Sequence, residues 1–240
     1  MTRILMISDV HGCAVQLDEL LKLVNYRADE DQLMLLGDYV DRGPQSKETV
    51  ELVMELTRQP NVIALRGNHD QRLVDLAISH DPEVPIKFME HGGLTTLQSY
   101  AGIRSESFDP YDLKEFSQYL SGNYAKHIAF LQGLPLYHEN LQHIYVHAGL
   151  NPLYANWKEQ PEHDFMNIKG EFLHVKTVVD RLVIFGHTRT SELQDSAAVW
   201  FGGDKIGIDG GCAYGQQLNA LIYEQGTYSS AFVRNRKGDE

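Results

Sequence analysis

Short, unbroken apolar runs, each closed by polar or glycine residues, recur through the first third of the chain: "RILMI" before Ser8-Asp9, "QLMLL" before Gly37-Asp38, and "VIAL" before Arg66-Gly67-Asn68. Runs of this length bounded by turn residues read as strands buried on both faces. The intervening stretches "CAVQLDELLKLVNY" and "KETVELVMELTR" place apolar residues at helical spacing. Asp9, Asp38 and Asn68 stand 29 and 30 residues apart, about one strand–helix repeat. Strands joined in that way lie parallel, which puts all three polar residues at carboxyl ends of strands in one α/β sheet.

Residues 71–141 change period. "RLVDLAI", "GLTTLQSY" and "YAKHIAFLQGL" are helical in spacing, with turn signals around Pro82, Pro85 and Pro110. This segment is expected to be a helical, cap-like insertion within one domain spanning residues 1–240. Strands return in "HIYVHAG", "RLVIFGHT", "AVWFG", "KIGIDGG" and "LNALIYEQGTYSSAFV", the last reading as an antiparallel hairpin. The tail "RNRKGDE" is expected to fray.

Composition narrows the function classes. A net charge of −12 over 240 residues argues against a general basic surface for a nucleic-acid polymer or an anionic membrane. An anionic substrate would then need local positive charge, from a few arginines or from metal ions. The start "MTRILMISDVHG" lacks the apolar length of a signal peptide, and no apolar stretch approaches the roughly 18 to 20 residues that cross a bilayer. With only two cysteines, Cys13 and Cys212, a reduced cytoplasm is the expected location. Neither opens a Cys-x5-Arg phosphate loop, because Glu19 and Leu218 stand where the arginine would be.

The strand ends share a chemistry. They read Asp9-Val-His11, Gly37-Asp38, Gly67-Asn68-His69, His147-Ala-Gly149 and Gly186-His187-Thr188, all hard or borderline metal ligands. Two cations about 3.5–4 Å apart need roughly six such groups, one a carboxylate able to bridge. Asp38 is the expected bridge. Taken singly, Asp9 or Asn68 would serve as a helix cap and His147 or His187 as a hydrogen-bonded structural histidine. Those readings would have to hold independently at six places.

In order, "DVHG", "GDYVDRG", "GNHD", "HAG" and "GHT" resemble the PPP-type metallophosphoesterases, which include serine/threonine protein phosphatases and diadenosine tetraphosphate hydrolases. The resemblance implies a four-layer αββα sandwich with two mixed β-sheets. It implies one metal held by Asp9, His11 and Asp38 and a second held by Asp38, Asn68, His147 and His187, the ions being manganese foremost, with iron and zinc as alternatives. Water between two dications is acidified and aimed at phosphorus, so no protein nucleophile is required. Arg42 would fork onto phosphate oxygens, His69 would protonate the leaving oxygen, and Asp41 would orient His69 and hold it cationic.

Many such proteins carry a second phosphate-clamping arginine in a segment like "DFLWIR". The matching stretch here, "DFMNIKGEF", puts Lys169 in that place and loses the bidentate fork, with Arg181 and Arg189 as alternative donors. Tyr214, in "GIDGGCAYG", is a candidate substrate contact. His80, His91, His127, His138, His143, His163 and His174 match no block and read as surface or structural.

The expected activity is hydrolysis of phosphate monoesters by hydroxide bridging the two metals, on serine/threonine phosphoproteins, since "HGGLTTLQSY" resembles bacterial members of that kind. Hydrolysis of a dinucleoside polyphosphate is the close alternative. A non-catalytic metal-binding scaffold should have lost Arg42, His69 or Asp41, all of which are present. A phosphodiester-cleaving nuclease ranks third, for want of a basic groove.

Overall fold

The computed structural model describes residues 3–102 and 110–235. β1 (Ile4–Ile7) leads through α1 (Ala14–Leu23) to β2 (Gln32–Leu35), and α2 (Ser46–Leu56) leads on to β3 (Val62–Ala64). Five helices follow: α3 (Asn68–Ile78), α4 (Glu83–Glu90), α5 (Gly93–Ala101), α6 (Pro110–Asn123) and α7 (Ala125–Gly133). β4 (Tyr137–Glu139) and β5 (His143–Val146) precede α8 (Glu162–Asn167) and α9 (Gly170–Leu173). The chain ends with β6 (Leu182–Phe185), β7 (Trp200–Phe201), β8 (Lys205–Gly207), β9 (Gln217–Glu224) and β10 (Thr227–Arg234).

Two five-stranded sheets result, ordered β10-β9-β1-β2-β3 and β4-β5-β6-β8-β7. Both are mixed: β1, β2 and β3 run parallel, as do β5, β6 and β8, while β9 pairs antiparallel with β1 and β10, β4 with β5, and β7 with β8. Side-chain alternation along each strand builds the layers. On β1, Ile4 and Met6 join Met34, Tyr145, Ile184 and Ile206 in the core between the sheets. Leu5 and Ile7 point the other way, onto Leu17, Leu20 and Val50 of the helices. The outer face of the second sheet packs Val146, Val183 and Phe185 against Phe165 of α8 and Phe172 of α9. The architecture is therefore the αββα sandwich, with strand ends β1, β2, β3, β5 and β6 opening on one side.

Three local expectations need correction. Residues Tyr137–Glu139, read as part of the helical segment, form β4, because His143–Val146 offers an edge for antiparallel pairing. Pro85 does not break the chain but sits in the first turn of α4, where its missing N–H is not needed. Fraying does not begin at Arg234, which closes β10, and Asn235 donates its backbone N–H to Gln216 and its amide to the Cys212 carbonyl. Residues 236–240 lie outside the described residues.

A half-buried ion pair fastens the far end of the first sheet. The Arg3 guanidinium donates to both Asp31 oxygens, at 2.9 and 2.5 Å, and to the Val24 and Asn25 carbonyls. Burial pushes the Asp31 carboxyl up, but the hydrogen bonds from Arg3 and Arg27 outweigh it and hold its pKa below the usual carboxylate range. A depressed folded-state pKa gives stability that is present above the unfolded value of about 3.9 and is lost as pH falls through the folded value. Asp31→Asn is expected to cost about 2 kcal/mol at pH 7, with the gap from wild type closing below about pH 4. Urea unfolding at both pH values checks this.

Candidate active site

The loops after β1 and β2 are zipped together by backbone bonds from Asp9 N to Gly37 O (3.1 Å), His11 N to Asp38 O (2.9 Å) and Gly12 N to Tyr39 O (2.8 Å). Their turning is paid for in strain. Eight non-glycine residues among those described have positive φ, and six of them are Asp9, His11, Asp38, Asp41, Arg42 and His187. Such left-handed residues persist only where surrounding contacts over-determine them, and their clustering marks a functional site. The two sheets are also stitched here: His147 Nδ1 donates to Leu36 O at 2.8 Å and His187 N to Asp9 Oδ2 at 2.9 Å.

All six expected metal ligands converge. Asp38 Oδ2 lies 3.5 Å from His11 Nε2 and 3.4 Å from His147 Nε2, so one carboxylate oxygen faces two imidazoles. Asp9 Oδ1 stands 3.9 Å from His11 Nε2. Asn68 Oδ1 lies 3.1 Å from His147 Nε2 and 3.0 Å from His187 Nδ1. Backbone carbonyls select the tautomers: His11 Nδ1 bonds Val40 O and His147 Nδ1 bonds Leu36 O, which turns both Nε2 atoms inward. Close approach of backbone to carboxylate requires glycine at two points, since a Cβ on Gly67 would overlap Asp38 Oδ1 and one on Gly186 would overlap Asp9 Oδ2.

These donors fit divalent cations. Two groups, His11 with Asp38 and His69, and Asp38 with His147 and His187, each bring their ligand atoms within 4.8 Å of one another. Positive charge is already drawn to both. Burial opposes a charged His147, yet Asp38 and Asp9 outweigh it and raise its pKa to about 9. At the other group, Arg42 places its Nη atoms on His11 Nε2 (2.5 Å) and His69 Nε2 (2.7 Å). The Asn68 oxygen facing two imidazoles is the orientation a cation would favour; hydrogen bonding alone favours the reverse, with the oxygen on Arg72 at 2.9 and 3.0 Å.

His69 Nδ1 bonds Asp41 Oδ2 at 2.7 Å, so Asp41 orients the ring as expected. Burial, with Arg42 and Arg72 nearby, outweighs the pull of Asp38 and lowers the His69 pKa to about 3, while burial raises that of Asp41 to about 7. Asp41 is gripped from the helical segment: its N–H donates to Thr96 Oγ1 at 2.8 Å, and that hydroxyl donates to Asp41 Oδ1 at 2.7 Å. Arg42 N donates to the Gly92 carbonyl at 3.1 Å.

Beside this cluster lies a cavity of about 250 Å³ lined by Asp38, Arg42, Lys169, His187, Arg189, Glu192, Asp209 and Tyr214. Lys169 and Tyr214 thus reach the site, as does Arg189. Arg181 does not line it and pairs with Glu139 on β4 instead. Of the discounted histidines, His91 comes within 6.3 Å of the His69 ring, centroid to centroid.

Sequence reasoning passed over Asp70, Thr96 and Asp209. Asp70 is fully buried and accepts N–H bonds from Asp38, Tyr39 and Gly67 at 2.8 to 2.9 Å, fixing the turn that presents Asp38. Its place three residues after Gly67 was the available signal, that of a residue reaching back over a helix start. Asp209 is buried and bonded to Gly211 N, and burial beside Asp9 holds its pKa well above the usual range. Thr96 had no signal, because only the fold brings α5 to Asp41.

A two-sheet αββα sandwich with carboxylates, imidazoles and an arginine gathered at its strand ends defines the metal-dependent phosphoesterases. The chain belongs to the calcineurin-like phosphoesterase family, whose model matches residues 2–206, and it is a hydrolase of that class. It is 27% identical over 252 aligned positions to the asymmetrical bis(5'-nucleosyl)-tetraphosphatase PrpE of Oceanobacillus iheyensis, covering 95% of this chain and 91% of that one. The protein of the same name from Geobacillus sp. (strain WCH70) is 26% identical, with 91% and 89% covered. In fold, the chain is similar to a crystal structure of a candidate diadenosine tetraphosphatase (TM-score 0.63, 23% identity, 99% and 95% covered). It is also similar to a protein serine/threonine phosphatase from Saccharomyces cerevisiae (TM-score 0.58, 15% identity, 96% and 79% covered). No helix among the described residues is long and apolar enough to cross a membrane.

Asp70→Asn, which replaces an acceptor with a donor facing backbone N–H groups, is expected to destabilise the fold by about 2 kcal/mol. It should also weaken manganese uptake by releasing Asp38. Chemical unfolding and metal titration check the two effects, and unchanged metal uptake would mean Asp38 is held without Asp70.

Proposed function

We propose that the chain is a two-metal phosphoesterase that cleaves a phosphoanhydride in a nucleotide, with dinucleoside tetraphosphates as reference substrates. The observation that carries the chemistry is the single Asp38 oxygen facing His11 and His147. In this reading Asp9, His11 and Asp38 hold one cation, and Asp38, Asn68, His147 and His187 the other. Oxygen and imidazole donors in this mixture suit manganese, iron or zinc, and manganese is the ion to load first. Such ions supply charge that polarises phosphorus–oxygen bonds and acidifies water.

The chain's own residues do the rest. Arg42 leaves His11 and His69 to fork onto the phosphoryl oxygens, where it stabilises developing charge. Its departure removes a guanidinium that disfavours charge on His69, so that Nε2, with the ring aimed by Asp41, can take up a proton from water and pass it to the leaving oxygen. Asp41 keeps its alignment through Thr96 and Ser46, which also bonds the Asp41 N–H at 3.1 Å.

The names of relatives aligned over nine-tenths of both chains support the nucleotide substrate. A phosphoserine or phosphothreonine substrate is the second reading, supported by the "HGGLTTLQSY" stretch, whose Gly92 and Thr96 grip Arg42 and Asp41. Manganese-loaded protein offered p-nitrophenyl phosphate, a phosphothreonine peptide and diadenosine tetraphosphate at matched concentrations separates these. The expected result is fastest turnover of the dinucleotide, reduced about 10²- to 10⁴-fold in His69→Asn. Preferential peptide turnover would favour the second reading, and undiminished turnover in a folded, metal-loaded His69→Asn protein would falsify the role given to His69.

A further inference from the structure

The cavity beside the metal-ligand cluster gathers more cations than one phosphoryl group calls for. Arg42 belongs to the cluster itself, through its contacts with His11 and His69. Arg189 lines the same cavity but is anchored elsewhere. Its Nε donates to Glu192 Oε1 at 2.8 Å, and its guanidinium carbon lies 4.4 Å from the centroid of the Tyr214 ring. Those two contacts bias the guanidinium toward the cavity wall before any ligand arrives, so less side-chain entropy is lost on binding.

Tyr214, 48% exposed, links the two arginines, because Arg42 stands 5.1 Å from the same ring. Lys169 adds a flexible point charge at the start of α9. A serine or threonine leaving group is neutral and would present no second anion to Arg189 or Lys169. A phosphoanhydride presents a second anion next to the reacting one.

We infer that Arg189, ordered by Glu192 and Tyr214, binds the phosphate adjacent to the one attacked, so that the cavity is a subsite for the second phosphate of a phosphoanhydride chain. This rests on the nucleotide reading above and assigns the neighbouring phosphate to a residue two positions beyond His187. Lys169, at the place expected for a clamp on the reacting phosphate, supports the same second anion.

The test is calorimetric binding of two non-hydrolysable probes to manganese-loaded protein, with free manganese held constant: phenylphosphonate, with one phosphorus, and methylenebisphosphonate, with two. Wild type should bind the bisphosphonate more tightly. Arg189→Gln should weaken that binding about ten-fold while changing phenylphosphonate less than about two-fold, the loss expected for one charge-assisted bond. Arg189→Lys should recover part of the loss, and Tyr214→Leu should reproduce its pattern at smaller size. Equal weakening of both probes would overturn the inference by making Arg189 a clamp on the reacting phosphate. No change for either would reduce Arg189 to a surface partner of Glu192. If wild type does not favour the bisphosphonate, there is no second-phosphate subsite, whereas turnover of the three substrates still judges the phosphoesterase reading separately.

Discussion

The site depends on one carboxylate being presented to two sheets at once. Asp38 follows β2, yet its Oδ2 faces His147 from β5 as closely as it faces His11 from β1. That geometry requires a left-handed Asp38 (φ 58°), a glycine at position 67 to clear its Oδ1, and Asp70 beneath to receive the freed N–H groups. Burying so many like charges is costly unless something offsets it. His147 partly does so through its raised pKa, and the site's chemistry follows from how readily cations satisfy the same demand.

The fold's layers follow from the alternation on a few strands. Ile4 and Met6 could face another sheet only if Leu5 and Ile7 faced helices, so the apolar run of β1 already called for cover on both sides. The parallel order β1-β2-β3 and the carboxyl-end placement of Asp9, Asp38 and Asn68 were legible from spacing alone. β4 was not, because its three half-buried residues carry no pattern of their own and pair only once β5 exists.

The candidate site was legible where each residue sits just beyond a strand and in a recognisable block. It was illegible where a partner arrives from elsewhere in space. Thr96 on α5 grips Asp41 across 55 positions of sequence, and Arg189 meets Arg42 through the ring of Tyr214. The charge state of His69 was illegible for the same reason: sequence gives neither the ring's burial nor the guanidiniums of Arg42 and Arg72 that the fold brings beside it. The helical segment is therefore tied to the site by Gly92 and Thr96, so movement of α5 would be felt at Arg42 and Asp41.

Anomalous diffraction at the manganese edge from crystals of the manganese-loaded protein tests the central claim most directly. The account predicts two ions about 3.5–4 Å apart, one on each side of Asp38, with His11 on the first and His147 on the second. A single ion, or two ions that do not share Asp38, would contradict it.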